Sequence, residues 1–262
     1  YEISACLVGS EMCIRDRASV ELRDNNEGSG NYQFSILGVR DVISKDTSNL
    51  FSQFSIHTQE INDDKRFVGN LGLGYRFLNP DESFMFGSNV FYDTDIQEGH
   101  KRIGYGLEAK AAIVDFSFNQ YLKTTNQKVI SGTKEQILSG NDYNISSQVP
   151  YMPWSTFNLQ GYRYENEKAS NDQKGYVYSL ENMLNPSLQF NIELDNSSIS
   201  GVKDEHNYEF VFIYPPQEKE YSLSKQAISD VAFEKKNMQA ALKAVSYTHL
   251  RAHETGRNLV CR

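Results

Sequence analysis

Gly72-Leu73-Gly74 and Gly104-Tyr105-Gly106 have the spacing with which glycine backbones approach a phosphate. Neither has a third glycine or a following helical pattern. Both sit in alternating stretches, where glycine makes room for a neighbouring backbone. Asp93-Thr94-Asp95, with Glu98, offers oxygen ligands of the calcium-loop kind. That loop needs glycine at its sixth position and an acidic residue at its twelfth; here these are Glu98 and Gly104. The carboxylates therefore read as solvated loop groups. His57, His100 and His206 have no second His or Cys at metal-ligand spacing. No G-x-S-x-G elbow accompanies them, so nucleophilic hydrolysis lacks its usual frame. Glu108, Glu181 and Glu193 have the chemistry for acid–base work. On the polar face of a strand such groups more often pair with Arg and Lys. The expectation is no catalytic residue, no metal and no cofactor.

What positions these residues is a period-two alternation. In NLGLGYRF, Leu71, Leu73, Tyr75 and Phe77 oppose Asn70, Gly72, Gly74 and Arg76. In RIGYGLEAKA, Ile103, Tyr105, Leu107, Ala109 and Ala111 oppose Arg102, Gly104, Gly106, Glu108 and Lys110. Leu188, Phe190, Ile192 and Leu194 alternate in the same way, as do Tyr208, Phe210, Phe212 and Tyr214. About twelve strands follow, near 18–23, 32–40, 50–57, 66–77, 84–92, 102–111, 113–121, 142–149, 156–165, 175–184, 187–195 and 205–214. No helical period separates them, which disfavours a parallel α/β fold. One set of connections is longer and polar, including TQEINDDK and the stretch 122–141. The other is short and holds all six prolines, with RDVISKDTSN as a ten-residue exception. Short turns on one side and long loops on the other is the pattern of an outer-membrane barrel. The predicted fold class is all-β, a transmembrane antiparallel barrel of residues 18–214. A segment 215–243 follows. Leu223, Ala227, Val231, Met238, Ala241 and Leu242 at helical spacing predict an amphipathic helix there, with Ser222 or Ser224 as N-cap.

Composition agrees by exclusion. Lys and Arg number 26 against 34 Asp and Glu, leaving no cationic field for nucleic acid. No apolar run is long enough for a spanning helix. Mean hydropathy is −0.56, but in a barrel that figure averages an apolar outer face with a polar lumen and loops. The 15 Phe and 16 Tyr against a single Trp suit aromatic girdles at membrane interfaces.

The ends read differently. Met12–Asp16 can be encoded by ATGTGTATAAGAGAC, whose reverse complement encodes Val245–His249, and Leu250–Val260 continues as the antisense of Glu11 back to Tyr1. All three cysteines lie in these ends. Residues 1–17 and 244–262 are therefore expected to be translated sequencing-library adapters, outside the native fold.

Between Gly69 and Glu108 the chain resembles the β-domain of inverse autotransporters, the intimin/invasin group. The resemblance is carried by Asn70–Phe77, by Phe86-Gly87-Ser88-Asn89-Val90-Phe91-Tyr92-Asp93 and by Arg102–Glu108. It resembles the family's ordered NLGLGYR, G-x-N-x-FYD and R-x-G-x-G-x-E strands. Beyond Glu108 the likeness is one of strand rhythm. The resemblance implies a twelve-stranded barrel in the bacterial outer membrane that is not an enzyme. It would anchor and export a C-terminal adhesin passenger by type V secretion, with a linker in the lumen. Asn70, Arg76, Asn89, Arg102, Glu108 and Lys110 would face the lumen and that linker. Leu71, Leu73, Tyr75, Ile103, Tyr105, Leu107, Phe190, Ile192, Phe210 and Phe212 would face lipid. Implied partners are outer-membrane lipid, the barrel-assembly machinery, periplasmic chaperones and, through the passenger, a host or neighbour-cell receptor. A general porin is the main alternative and a soluble all-β binding module the next.

Overall fold

The computed structural model describes residues 14–25, 31–61, 64–130, 132–165, 172–197, 204–216 and 221–242. Among them form β1 (Ile14–Asn25), β2 (Asn31–Lys45), β3 (Ser48–Ile61), β4 (Asp64–Leu78), β5 (Phe84–Asp95), β6 (Lys101–Ala111) and β7 (Val114–Lys123). Then come β8 (Lys128–Ile130), β9 (Thr133–Glu135), β10 (Gly140–Val149), β11 (Met152–Tyr164), β12 (Gln173–Asn185), β13 (Leu188–Ser197), β14 (Glu205–Tyr214) and α1 (Met238–Leu242). Twelve strands close a barrel in the order β1-β14-β13-β12-β11-β10-β7-β6-β5-β4-β3-β2, while β8 and β9 pair apart as a small hairpin. Each of the twelve stretches read from alternation falls on a wall strand. Wall strands run from 10 residues in β7 to 15 in β4, enough to cross a bilayer when tilted.

Closure is antiparallel, with Ala18 opposite Tyr214 where β1 meets β14. It leaves no unpaired edge, and a strand assembly in lipid tolerates none. Away from the bulges, side chains then alternate between lumen and outer surface. In β6, Arg102, Gly104, Gly106 and Glu108 are buried while Tyr105 and Leu107 lie on the outer face. Leu71, Leu73, Tyr75, Phe86, Phe116, Phe157, Phe210 and Phe212 are likewise exposed there. In water such a surface would be an association patch far above the size monomers tolerate. At the edge of this belt the rings of Tyr75, Phe77, Phe86 and Phe84 follow one another at centroid spacings of 6.5, 5.6 and 6.4 Å.

The two ends differ. At one, connections reduce to 46–47, 79–83, 112–113, 150–151 and 186–187. The Asn79 side chain organises one of them, accepting from the Phe84 amide at 2.8 Å and donating to Ser83 at 2.9 Å. All six prolines lie at this end or just inside it. RDVISKDTSN, expected as a ten-residue connection, is instead a two-residue turn, because β2 runs on to Lys45 and pairs it with Ser48. A bulge between Asp41 and Ile43 hides that continuation by putting both Val42 and Ile43 at the surface. At the other end TQEINDDK is also mostly strand, since Ile61 pairs with Asp64.

The chain ends carry two further features. β1 starts at Ile14, so residues 14–17 of the supposed adapter segment extend the sheet, with Ile14 opposite Arg40. The rest of both tails lies outside the described residues. The expected helix over 217–243 is only the five residues of α1, capped by Asn237, whose Oδ1 accepts from the Ala240 amide at 3.1 Å. Residues 217–220 and 243 lie outside the described set, and 221–237 form an irregular strap along the short-turn rim. Much of its backbone is bonded to that rim, and a single turn closes on itself where the Lys225 and Gln226 amides donate to Ser222 O at 3.0 Å. Leu223 N donates to Met183 O at 2.9 Å, Ser229 N to Tyr151 O at 2.8 Å and Lys236 N to Ala112 O at 3.1 Å. Amides committed to rim carbonyls cannot close helical turns.

Candidate functional site in the barrel lumen

The three motif strands are neighbours in the wall, and their register turns alternation into four rungs across the lumen face. Asn70, Asp93 and Arg102 form the first rung; Gly72, Phe91 and Gly104 the second. Gly74, Asn89 and Gly106 form the third; Arg76, Gly87 and Glu108 the fourth. In each glycine rung a large side chain lies over hydrogen where a Cβ would otherwise stand. A Cβ on Gly72 would meet the Phe91 ring at 2.1 Å, and one on Gly106 would meet Asn89 Oδ1 at 2.3 Å. Gly87 clears the line between the charges that flank it: a Cβ there would sit 2.5 Å from Glu108 Oε1.

Across that gap Arg76 Nε donates to Glu108 Oε1 at 2.6 Å and Nη2 to Oε2 at 3.2 Å, with Lys110 Nζ 3.8 Å from Oε2. The Arg76 guanidinium also lies 4.5 Å from the centroid of Phe51. At the first rung, Arg102 Nε and Nη2 reach Asp93 Oδ2 at 3.1 and 3.0 Å, and Asn70 Nδ2 donates to Oδ1 at 2.5 Å. Arg102 stacks 4.1 Å from the Tyr121 centroid. The Tyr121 hydroxyl and Asn119 Nδ2 both donate to Asp142 at 2.8 Å. Charges taken out of water need such partnering to be tolerated. Asn70, Arg76, Asn89, Arg102 and Glu108 are thus buried on the lumen face, the charged ones in two ion-paired groups, with half-buried Lys110 beside Glu108. Ile103 and Phe190 are half-buried on the outer face, Phe190 stacked 4.7 Å from Phe210, while Ile192, Tyr105 and Leu107 are exposed. Asp93 and Asp95, the candidate calcium ligands, are taken up by Arg102 and Asn70 and by Arg66 and the Gln97 and Glu98 amides.

Between these side chains and the facing wall the lumen holds a cavity of about 320 Å³, lined by Glu108 and Lys110 on one side and by Glu21, His57, Glu181 and Glu209 on the other, among others. Lys236 of the strap projects into it and meets Asp115 at 2.8 Å. Below it, Met238 and Leu242 pack on Leu78 and Met85.

The long-loop end carries a group that sequence reasoning missed. Arg66 Nη1 and Nη2 reach the two Glu135 oxygens at 2.8 and 3.0 Å, and Nη1 is 3.3 Å from Asp95. Arg66 shares its parity with Asn70 and Arg76, which was legible; its partner, on a loop 69 residues away, was not. His57 is buried in the lumen wall and His206 exposed on the outside, so the three histidines do not meet. His100 is fully buried in the β5–β6 connection, with neither ring nitrogen hydrogen-bonded. Burial holds its imidazole below the usual histidine range. Lys128 and Arg66 act in the same direction, while Asp95 and Glu135 oppose them. A lowered value means that a state with His100 exposed to water binds more protons than the packed one, so the packing around His100, Lys128 of the β7–β10 connection included, loses stability as pH falls below about 6.5. Hydrogen exchange over 124–139 should therefore accelerate beyond its intrinsic rate change between pH 7.5 and 5. In His100→Asn this extra acceleration should disappear.

A family model for the inverse autotransporter β-domain matches residues 9–245. Invasin of Yersinia enterocolitica is 29% identical over 123 residues, covering 46% of this chain and 14% of that protein. The inverse autotransporter adhesin YeeJ of Escherichia coli K12 is 40% identical over 78 residues, 30% of this chain and 3% of that protein. A putative attaching and effacing protein homolog of the same strain is 31% identical over 110 residues, 41% of this chain and 36% of that protein. The matched regions therefore span about a third or less of these relatives' lengths. A structure from work on in-meso crystallization of membrane proteins aligns with TM-score 0.69 at 20% identity, covering 94% of this chain and 98% of that one. An outer membrane channel of Pseudomonas putida F1 aligns with TM-score 0.53 at 11% identity, covering 76% and 95%.

Proposed function

The chain belongs to the inverse autotransporter β-domain family, and on that premise we propose that its barrel anchors a C-terminal adhesin in the outer membrane and conducts it to the surface. The observation that carries this reading is the strap. After β14 the chain runs along the short-turn rim, periplasmic by its turn lengths, and sends the Lys236 ammonium into the lumen against Asp115. A chain so placed enters the pore from below. A general porin has no use for such a segment across its mouth. Lipid holds the outer belt, with Leu71, Leu73, Tyr75, Ile103, Tyr105, Leu107, Phe190, Ile192, Phe210 and Phe212 on it. The buried groups of Asn70, Arg76, Asn89, Arg102 and Glu108 stiffen the wall of β4 to β6. Lys110 and the carboxylates of the cavity are left to hydrate and guide the linker. No step in this role is chemical, and the domain is not an enzyme on this reading. The barrel-assembly machinery and periplasmic chaperones insert it, and the receptor belongs to the passenger.

An epitope-tagged folded domain joined after Leu242, in cells carrying the barrel in the outer membrane, tests the proposal. Antibody should label intact cells. Tag confined to the periplasm, with the barrel folded and heat-modifiable, would overturn it.

A further inference from the structure

The connection between β7 and β10 does not stand away from the barrel. It turns inward. Gln136, Ile137 and Leu138 are buried, and Leu138 packs on Tyr121 and Tyr164, both lumen-facing and fully buried, with their rings stacked 6.1 Å apart. The tip then crosses past β6 and β5 and delivers the Glu135 carboxylate to Arg66 on β4. Arg66 and Glu135 are 4% and 3% exposed at their side chains. The Lys128 ammonium adds a contact to the Glu98 carbonyl. The stem is fixed where Glu165 N donates to Ser139 O at 2.8 Å and Thr124 N to Lys101 O at 3.0 Å. Among the described residues the hairpin β8–β9, whose last residue is Glu135, pairs only with itself, and Val129 on it is exposed. The lumen cavity lies below this layer: Asn119 and Asp142 line it, while Tyr121, Leu138 and Arg66 do not.

We propose that residues 124–139 are a hinged lid over the outer mouth of the lumen, latched by the Glu135–Arg66 pair. The lid must swing out before a chain can leave through that mouth. The physical reason is an asymmetry in what a broken latch costs. A buried ion pair deprived of one partner leaves an uncompensated charge, and the cheapest remedy is to hydrate it. For Glu135, hydration means moving the loop outward. The barrel wall need not follow, because its strands are tied by backbone ladders in which the lid has no part. The apolar contact of Leu138 on two tyrosines returns the lid once the tip is free to re-pair. The inference goes beyond anchoring and export, and it stands or falls without any passenger.

The test uses the full chain refolded in detergent, with heat-modifiable migration as the check that the barrel is closed. Hydroxyl-radical footprinting and hydrogen exchange are read by mass spectrometry. In Glu135→Ala and Arg66→Ala, oxidation of Tyr121 and Tyr164 should rise at least fivefold. Exchange over 133–139 should quicken at least tenfold, while 64–78 and 101–111 keep their protection. The exchanged pair Arg66→Glu with Glu135→Arg should return both readouts toward the parent. Unchanged oxidation and exchange in Glu135→Ala would overturn the lid. So would loosening that spreads into β4 to β7, which would make the pair a brace of the wall. Glu135→Ala alters only the loop and keeps the test decisive if Arg66→Ala does not fold.

Discussion

Arg102→Ala should cost the barrel about 3–5 kcal/mol, the range for breaking a buried ion pair by removing one member. Arg102 and Asp93 are both fully buried. Two guanidinium nitrogens hold one carboxylate oxygen, and Asn70 holds the other. Without Arg102 the carboxylate stays in the wall with a neutral amide as its named donor. The stacking of the guanidinium on Tyr121 is lost as well. Lys123, opposite Arg102 in register, sets the lower end of the range if its ammonium can approach. Adding Asp93→Asn removes the stranded charge, so the double variant should recover more than half of the loss. Urea unfolding of the refolded barrel in lipid vesicles, read by circular dichroism and gel migration, gives the three values. Equal cost in the single and double variants would mean that burial of the Asp93 charge is not what the arginine offsets.

This pair also marks how far the sequence could be read. Alternation alone put Arg102, Asn70, Arg76 and Glu108 on one face, because a period of two is a property of the strand and not of its partners. The same parity applied to Asp93, Phe91 and Arg66. Which of them meet is a matter of register, and register in a barrel is set by closure of all twelve strands together. The rungs therefore became visible only in three dimensions, although every glycine and charge in them belongs to a motif of the sequence. Local breaks in period misled in a different way. The bulge beyond Asp41 hid the end of β2, and the Ile61–Asp64 turn was submerged in a polar run. The strap failed as a helix for a third reason. Its apolar spacing is helical, but carbonyls at the rim offered its amides partners that no local pattern records. The lid is the least legible element, since Glu135 reaches Arg66 past two strands of wall, β6 and β5.

Gly74→Val gives a test in which propensity and packing disagree in sign. Glycine is a poor strand residue and valine a good one, so on propensity alone the change should stabilise β4 by up to about 1 kcal/mol. The lumen face of Gly74 is covered by the ring of Phe51, and a Cβ there would lie 2.3 Å from Cζ and 2.6 Å from Cε1. Phe51 is itself buried, packed with Leu37 and Val39. It carries Arg76 on its face, and Arg76 holds Glu108. The ring cannot yield without tilting the guanidinium off the carboxylate. Overpacking of this kind costs about 1–3 kcal/mol, and disturbance of the Arg76–Glu108 pair adds to it. The net expectation is destabilisation by about 2–4 kcal/mol, measured by the same urea unfolding. Phe51→Ala alone should also destabilise, through the cavity it leaves and the lost stacking of Arg76. In the double variant the valine fills space the ring has vacated, so the two losses should fall well short of their sum. Additive losses would show that valine at 74 acts through the backbone of β4 and not through Phe51. A Gly74→Val barrel more stable than the parent would show that the ring moves freely, and the rungs would then be coincidences of register.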